Sequence, residues 1–281
     1  MTWNIVCDSS CDLKASMFKS DCASFHIVPM RILVGGEDFL DDENLNIPEL
    51  LDAMEEDKTA SSTACPSPGA FAKVFESADR TICFTISSNL SGTYNAAVMG
   101  REMVLEEHPE KQICVIDSRS TAGAMVLLVR QAVELISADP NADFDKICNQ
   151  LRTTQAAQRT VFTLECFDNL IKNGRMRPLV GNLLKTLGIH ILANGTPQGT
   201  IHVAGKARGE VRTYRAIVEL MRESKDCTGA SVVISHCENL QGAMKLKNAI
   251  LEGLPVKDVS ILSCRGLTTF YAMEKGLIVG F

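Results

Sequence analysis

The chain has 281 residues, of which 46% are hydrophobic and 22% are charged, and its formal net charge at pH 7 is −6. This length favours two domains over a single core, and the composition is ordinary for a soluble globular protein. The negative charge does not favour a nucleic-acid-binding or anionic-membrane-binding surface, and no run of about 18 apolar residues predicts a membrane span.

Eleven cysteines are spread along the chain without a Cys-x-x-Cys pair. Metal sites and disulfide frameworks need closer, repeated spacing, so neither is predicted. Several cysteines, such as Cys83 and Cys114, lie inside apolar patterns where a thiol behaves as a small hydrophobe. The N-terminus lacks the basic region of a signal peptide. These features predict a protein of the reducing cytoplasm.

Short apolar strands alternate with helical patterns in the first half of the chain. Residues 3–7, 81–86 and 113–117 are typical of buried strands, and residues 125–136 of a helix with one wide apolar face. This alternation predicts a mostly parallel sheet whose ligands bind outside the carboxyl ends of the strands. All three strands end in Ser/Asp turns, so we expect these turns to face one crevice.

Three other segments of this half carry weaker signals. Asp12 begins a predicted short helical segment. Residues 26–34 are typical of one strand, in which Pro29 marks an edge or a bulge. Residues 59–69 form a hydroxyl-rich loop with two prolines, which is either a functional loop or a capped turn before the next helix.

The second half of the chain predicts a separate α/β unit. We place the boundary between an N-terminal domain, residues 1–158, with a mostly parallel Rossmann-like sheet and helices on both faces, and a C-terminal domain, residues 159–281, with a mixed α/β sheet. Strands are predicted at residues 160–164, 231–235, 259–262 and 276–281, a hairpin at 189–203, and helices at 179–187, 214–221 and 240–250.

The stretch 81–97 passes from a strand into a helix through Ser-Ser-Asn-Leu-Ser-Gly-Thr. Free N–H groups of the first helical turn, small hydroxyls and the positive end of the helix dipole meet here. Such a turn is suited to bind a carboxylate or a phosphate. The alternative is an ordinary N-cap, since Ser and Thr are common capping residues.

Six short segments along the chain carry a resemblance to a known family. They are residues 6–13, 27–30, 63–68, 86–94, 115–118 and 173–176. Together and in this order they resemble the DegV family of bacterial fatty-acid-binding proteins, over essentially the whole chain. The resemblance implies a two-domain α/β protein that holds one long-chain fatty acid between its domains, with the acyl tail in an apolar tunnel.

The resemblance also implies which residues hold the carboxylate. In the family these are the Thr of a Thr-x-x-Pro loop and the Ser of a Ser-Gly-Thr turn, which here are Thr63 and Ser91, with Gly92 and Thr93 in the same turn. The family loop usually reads Thr-Ser-Gln-Pro, whereas this chain has Thr-Ala-Cys-Pro. One hydroxyl and one amide are therefore missing from the loop.

Two further positions complete the implied site. Arg175 matches a Gly-Arg position of the family and either pairs with the head group or caps the preceding helix. Tyr271 stands where many members carry a His followed by Gly-Pro-Gly, and its hydroxyl can donate a hydrogen bond. Some members present the bound acid to a separate kinase that makes an acyl phosphate, and the missing His bears on that transfer.

The predicted function is therefore a fatty-acid carrier without catalytic residues, metal or cofactor, whose partners are a long-chain fatty acid and a fatty acid kinase. The alternatives are an enzyme that uses the same anion site for a small carboxylated or phosphorylated substrate, and a regulatory sensor of acyl chains. The sequence has no Gly-x-Ser-x-Gly elbow and no Walker or zinc spacing. The five histidines are typical of structural positions.

Overall fold

The computed structural model describes residues 2–57, 61–177 and 188–281. Its strands are β1 (Trp3–Asp8), β2 (Ala23–Val28), β3 (Arg31–Val34), β4 (Glu37–Leu40), β5 (Ser62–Ala64), β6 (Arg80–Thr85), β7 (Gln112–Asp117), β8 (Thr160–Leu164), β9 (Ile189–Gly195), β10 (Ile201–Arg208), β11 (Ser231–His236), β12 (Asp258–Ser263) and β13 (Leu277–Gly280). Its helices are α1 (Ile47–Glu56), α2 (Pro68–Phe75), α3 (Thr93–Glu107), α4 (Gly123–Ala138), α5 (Phe144–Ala157), α6 (Asp168–Lys172), α7 (Glu210–Ser224), α8 (Leu240–Gly253) and α9 (Gly266–Ala272).

The first half of the chain forms a parallel sheet with the strand order β2-β1-β6-β7. Successive residues of a strand point to opposite faces, and both faces of this sheet are covered. Ile82 and Phe84 of β6 pack against α4 and α5, whereas Cys83 packs against α2 and α3. A strand buried on both faces needs a continuous apolar run, which explains the predicted pattern. The prediction of a parallel sheet with helices on both faces is confirmed.

The second half forms a six-stranded mixed sheet with the order β10-β9-β8-β13-β11-β12. The pair β11–β12 is parallel, and the other neighbouring pairs are antiparallel. Helices α7 and α8 cover one face, where Ile217 and Leu246 pack on Val232 and Ile234. The predicted mixed sheet and the predicted β9–β10 hairpin are confirmed. The helix predicted at residues 179–187 lies outside the described residues.

Two predictions for the first half were wrong. Residues 26–34 are not one strand: β2 ends at Val28 in the parallel sheet, and β3 begins at Arg31 in a separate sheet with the order β4-β3-β5. Pro29 has no N–H to donate to a ladder, so the chain changes sheets there. Asp12 does not begin a helix, because its carboxylate is buried in a tertiary contact, and a short 3-10 turn starts only at Ala15.

Helix α4 joins the two main sheets through close backbone contacts. A Cβ added at Gly123 would lie 2.7 Å from the carbonyl oxygen of Val233 on β11. A Cβ added at Gly280 on β13 would overlap the backbone of Ala124 and lie 2.7 Å from the carbonyl carbon of Gly123. Glycine at both positions therefore lets the helix lie directly on the backbone of the mixed sheet.

Helix α9 is held by acidic groups from the first half of the chain. The carboxylate of Asp41 accepts the N–H groups of Gly266 at 2.9 Å and Leu267 at 2.8 Å. Asp12 Oδ1 accepts the N–H of Arg265 at 2.9 Å, and Asp12 and Arg265 are both buried. These bonds satisfy the first N–H groups of a helix that is only seven residues long. They place α9 against the first half of the chain.

Burial of Asp12 makes the stability of the protein depend on pH. Burial raises the pKa of this carboxyl from 3.8 to about 6, although hydrogen bonds to the carboxylate act in the opposite direction. A carboxyl with a raised pKa binds its proton more tightly in the folded state. Its contribution to stability is therefore present at low pH and is lost as the pH rises from about 4 to about 6.

The unfolding free energy of the parent protein should fall between pH 5 and pH 7. We expect this fall to be about 1 kcal/mol smaller in Asp12→Asn, because asparagine does not titrate. Its amide oxygen can still accept the Arg265 N–H. Urea denaturation at the two pH values measures the difference. Asp52→Asn, at an exposed position of α1, is the control and should leave the fall unchanged. An Asp12→Asn variant with the same fall as the parent would contradict the assignment.

Candidate ligand-binding site

A cavity lies between the parallel sheet and the mixed sheet. It encloses about 830 Å³ of space, including open solvent at its mouth. Most of its lining is apolar and comes from both halves of the chain, including Met30, Ile86, Phe162, Leu164, Leu267 and Ile278. An enclosed apolar cavity of this kind is suited to an apolar ligand.

The cavity runs along strand β8. Thr160, Phe162 and Leu164 alternate along this strand, so they share one face, and all three line the cavity. At the rise of a strand, Thr160 and Leu164 lie about 13 Å apart. Leu164 belongs to the same apolar cluster as Ala272, and Tyr271 packs against that cluster. A Cβ added at Gly276 would meet both Ala272 and Leu164, so Tyr271, the neighbour of Ala272, lies towards the Leu164 end of this row and Thr160 lies at its other end.

Thr63 and Tyr271 meet at the first of these ends. Thr63 lies on β5 and Tyr271 on α9, and their hydroxyl oxygens are 2.9 Å apart. Burial raises the pKa of Tyr271, so its phenol is protonated at neutral pH and can donate a hydrogen bond. Both residues line the cavity.

Arg175 lies beside this pair. Its guanidinium carbon is 6.0 Å from the centroid of the Tyr271 ring, a cation–π distance. Its Nε donates to the carbonyl of Leu90 at 3.1 Å, and its Nη1 donates to the carbonyl of Asn173, the residue that follows α6. Arg175 thus caps the preceding helix and also lines the cavity, so the two roles considered for it are compatible.

The Ser-Gly-Thr turn begins α3. Ser91 lines the cavity, and its hydroxyl oxygen is 2.8 Å from that of Thr93 and accepts the Thr93 N–H at 3.3 Å. Thr93 is buried and does not line the described cavity itself, but it contacts Ser91, which does. Gly92 is exposed beside Cys65. The turn therefore places one hydroxyl in the cavity, at the N-terminus of a helix whose dipole favours an anion.

The Ser/Asp turns share one edge of the parallel sheet, but they differ in their roles. Asp8 accepts the N–H of Ser10 at 2.9 Å and of Ile86 at 2.7 Å, and burial raises its pKa to about 6. It ties the end of β1 to the end of β6 and does not line the cavity in the described structure. Of the expected crevice turns, those that follow β6 and β7 reach the ligand cavity.

Sequence reasoning missed the contacts that close the cavity from the side of the β9–β10 hairpin. Ser87 Oγ donates to the carbonyl of Gly199 at 2.7 Å, and Asn89 Nδ2 donates to the carbonyl of Gln198 at 2.6 Å. Gly199 has φ +80° and packs against the backbone of Arg119, so a side chain there would be strained. The Asn-Gly and Gly turn residues of the hairpin were visible in the sequence, but their partners were not.

At the Tyr271 end, the cavity therefore presents hydroxyl groups and a guanidinium, and most of its remaining lining surface is apolar. Hydroxyls and an arginine are donors for a carboxylate. No group of three or more His, Cys, Asp or Glu side chains in the described ranges is arranged to hold a metal ion. The arrangement can bind a molecule with one anionic end and a long apolar tail.

Comparison with known proteins agrees with this geometry. The family model described as "Uncharacterised protein, DegV family" matches residues 2–277. A DegV domain-containing protein of Streptococcus gordonii is 36% identical over 281 residues, which is 100% of this chain and 99% of that protein.

Two solved structures share the whole fold. The Streptococcus pneumoniae fatty acid kinase (Fak) B3 protein loaded with linoleic acid has a TM-score of 0.94 at 33% identity, with 100% of this chain and 99% of that chain covered. A DegV family protein from Eubacterium eligens loaded with heptadecanoic acid has a TM-score of 0.92 at 31% identity, with 99% of each chain covered. The resemblance seen in the sequence is confirmed, and the chain belongs to the DegV family.

Proposed function

We propose that this protein is a carrier of long-chain fatty acids, with the acyl tail between its two sheets and the carboxylate held at Thr63 and Ser91. The observation that carries the proposal is a mostly apolar cavity in which the hydroxyls of Thr63 and Tyr271 meet beside the guanidinium of Arg175. The fatty acids bound by the Streptococcus pneumoniae and Eubacterium eligens proteins support it.

The tail supplies most of the binding free energy in this proposal. A chain of roughly 16 carbons, at about 0.8 kcal/mol for each buried CH₂, contributes on the order of 10 kcal/mol before the cost of ordering the ligand. The head group then decides which end of the ligand lies at Tyr271. Three further residues support the carboxylate site. Thr93 contacts the Ser91 hydroxyl, Gly92 lies between them in the turn, and Arg175 donates a hydrogen bond to the carbonyl of Leu90 in the same turn.

The proposed role is binding and presentation rather than catalysis. The donors at the Tyr271 end suit a carboxylate that is held and not attacked. The likeness to the Fak B3 protein supports presentation of the acid to a separate fatty acid kinase. In this proposal the phenol of Tyr271, which contacts Thr63, donates a hydrogen bond to the head group. In this proposal the kinase performs the phosphoryl transfer.

We also propose the domain boundary at residues 158/159 and a cytoplasmic location. The boundary lies between α5 and β8, the first strand of the mixed sheet. All eleven cysteines belong to the described ranges and carry free thiols, which supports a reducing compartment. In the part of the chain that the structure describes, no helix has the length and apolar character to cross a membrane.

Mass spectrometry of the denatured, as-purified protein is expected to release a long-chain fatty acid, because an apolar cavity buries the tail from water during purification. The delipidated protein should take up an added fatty acid with a stoichiometry of one. A preparation that releases no lipid and takes up none would overturn the carrier proposal. Turnover of a phosphate ester by the protein alone would support the enzyme alternative instead.

A further inference from the structure

The end of the cavity opposite Tyr271 is closed by a pair of hydroxyl groups. Ser120 Oγ and Thr160 Oγ1 are 2.6 Å apart, within hydrogen-bond distance, and both side chains line the cavity. Ser120 belongs to the loop between β7 and α4, and Thr160 is the first residue of β8. The pair therefore joins the two halves of the chain across the cavity.

A second, more polar space lies directly behind this pair. It encloses about 340 Å³, including open solvent, and is lined by Gln155 and Gln158 from the end of α5. Arg119, Ser120, Thr160 and Gly195 line both spaces, so they form the partition between them. Gln158 Oε1 is buried on this side without a hydrogen-bond partner among the described residues.

The partition is held on both sides by the fold. The carbonyl of Ser120 accepts the Ser87 N–H at 3.0 Å and the Ser118 hydroxyl at 3.1 Å, while the Ser120 N–H donates to Ser118 Oγ at 3.1 Å. Thr160 is buried and pairs with Gly280 in the mixed sheet. An acyl tail that reaches the hydroxyl pair therefore meets side chains that these hydrogen bonds hold in place.

We propose that the Ser120–Thr160 pair is the end wall that sets the longest acyl chain the protein accepts. The inference rests on the proposed function, since it places the carboxylate at Tyr271 and the terminal methyl at Thr160. A methyl group cannot replace the hydrogen bond between the hydroxyls, and the space behind them is polar. Each further methylene therefore gains nothing once the tail reaches the pair.

The test measures how affinity depends on chain length. Delipidated protein is titrated with saturated fatty acids from lauric to behenic acid. For the parent protein, affinity should rise about fourfold per methylene, the ratio that corresponds to about 0.8 kcal/mol for a buried CH₂, and should stop rising at one chain length. Ser120→Ala with Thr160→Ala should move that limit to longer chains, with about a fourfold gain for the first acid beyond it.

Gly195→Ala tests the same wall in the opposite direction. An added Cβ would lie 3.8 Å from Thr160 Cβ, an ordinary contact, so this change thickens the partition without forcing the backbone. The limit should move to shorter chains. Thr153→Ala, an exposed position on α5, is the matched control and should leave the limit in place.

The outcomes separate this inference from the carrier function itself. A parent protein that binds no fatty acid overturns the proposed function and the end wall with it. Opposite shifts in the two variants support the end wall. If the parent binds fatty acids and the variants do not shift the limit in opposite directions, the carrier function stands and the end wall is overturned. Unfolding curves of each variant establish that it is folded before titration.

Discussion

Replacing Thr63 and Ser91 together by alanine is expected to weaken the binding of a long-chain fatty acid about a hundredfold or more. A hydrogen bond to a charged group contributes about 1.5–3 kcal/mol, and about 1.4 kcal/mol corresponds to a tenfold change in affinity. Both hydroxyls line the end of the cavity where Tyr271 lies. The loss should fall on the carboxylate, because the apolar walls are unchanged.

The matching long-chain alcohol provides the comparison. Its head group is neutral, so its binding should fall only about tenfold in the same variant. Isothermal titration calorimetry of the delipidated protein with both ligands measures the two losses. Ser62→Ala with Thr153→Ala makes the same two chemical changes at exposed positions and should bind both ligands like the parent. Equal losses for the acid and the alcohol would mean that the carboxylate is held elsewhere.

A second large effect is expected at Gly280, where β13 meets α4. Gly280→Ala should lower the free energy of unfolding by about 3 kcal/mol or more, the upper part of the range for overpacked sites. The added Cβ would overlap backbone atoms of Ala124, and backbone atoms cannot relieve the overlap by a change of rotamer as a side chain can. The helix or the strand must therefore move.

Urea denaturation at neutral pH measures this effect. Gly205→Ala on β10 is the matched control, since an added Cβ there meets no atom of the described residues within 4 Å. It should change the free energy of unfolding by no more than about 0.5 kcal/mol. If both variants were equally stable, α4 and β13 would not be packed backbone against backbone.

The large elements could be predicted from the sequence because their signals are local. Strands such as β6 have a buried apolar centre, here Ile82, Cys83 and Phe84, and α4 has one wide apolar face. Helix α9 gave no such signal. It has seven residues, rich in Thr and aromatic side chains with modest helix propensity, and its first N–H groups bind Asp41, more than 200 positions away in the chain. Tertiary contacts form this helix.

In the candidate site, too, local motifs could be recognised from the sequence and tertiary contacts could not. Thr63, Ser91 and Arg175 stand in short motifs, so their positions could be assigned from the sequence. The resemblance also assigned Tyr271 to the site, but its direct contact with Thr63 spans 208 positions and depends on α9, so it has no signal in the local sequence. The apolar wall was also hidden. The alternation of Thr160, Phe162 and Leu164 in β8 could have indicated one shared face, but not what that face covers.

The close approach of α4 to β13 also bears on how ligands are distinguished. Gly280 and Ile278 lie two positions apart on β13, so the strand presents them on one face, where Gly280 meets α4 and Ile278 lines the cavity. Residues 120 and 121, just before α4, line the same cavity. Because backbone atoms set the separation of helix and strand, this wall cannot move outward by a change of rotamer. The position of this one wall is thus set by main-chain contacts between α4 and β13, so bent and straight acyl chains meet it at the same place.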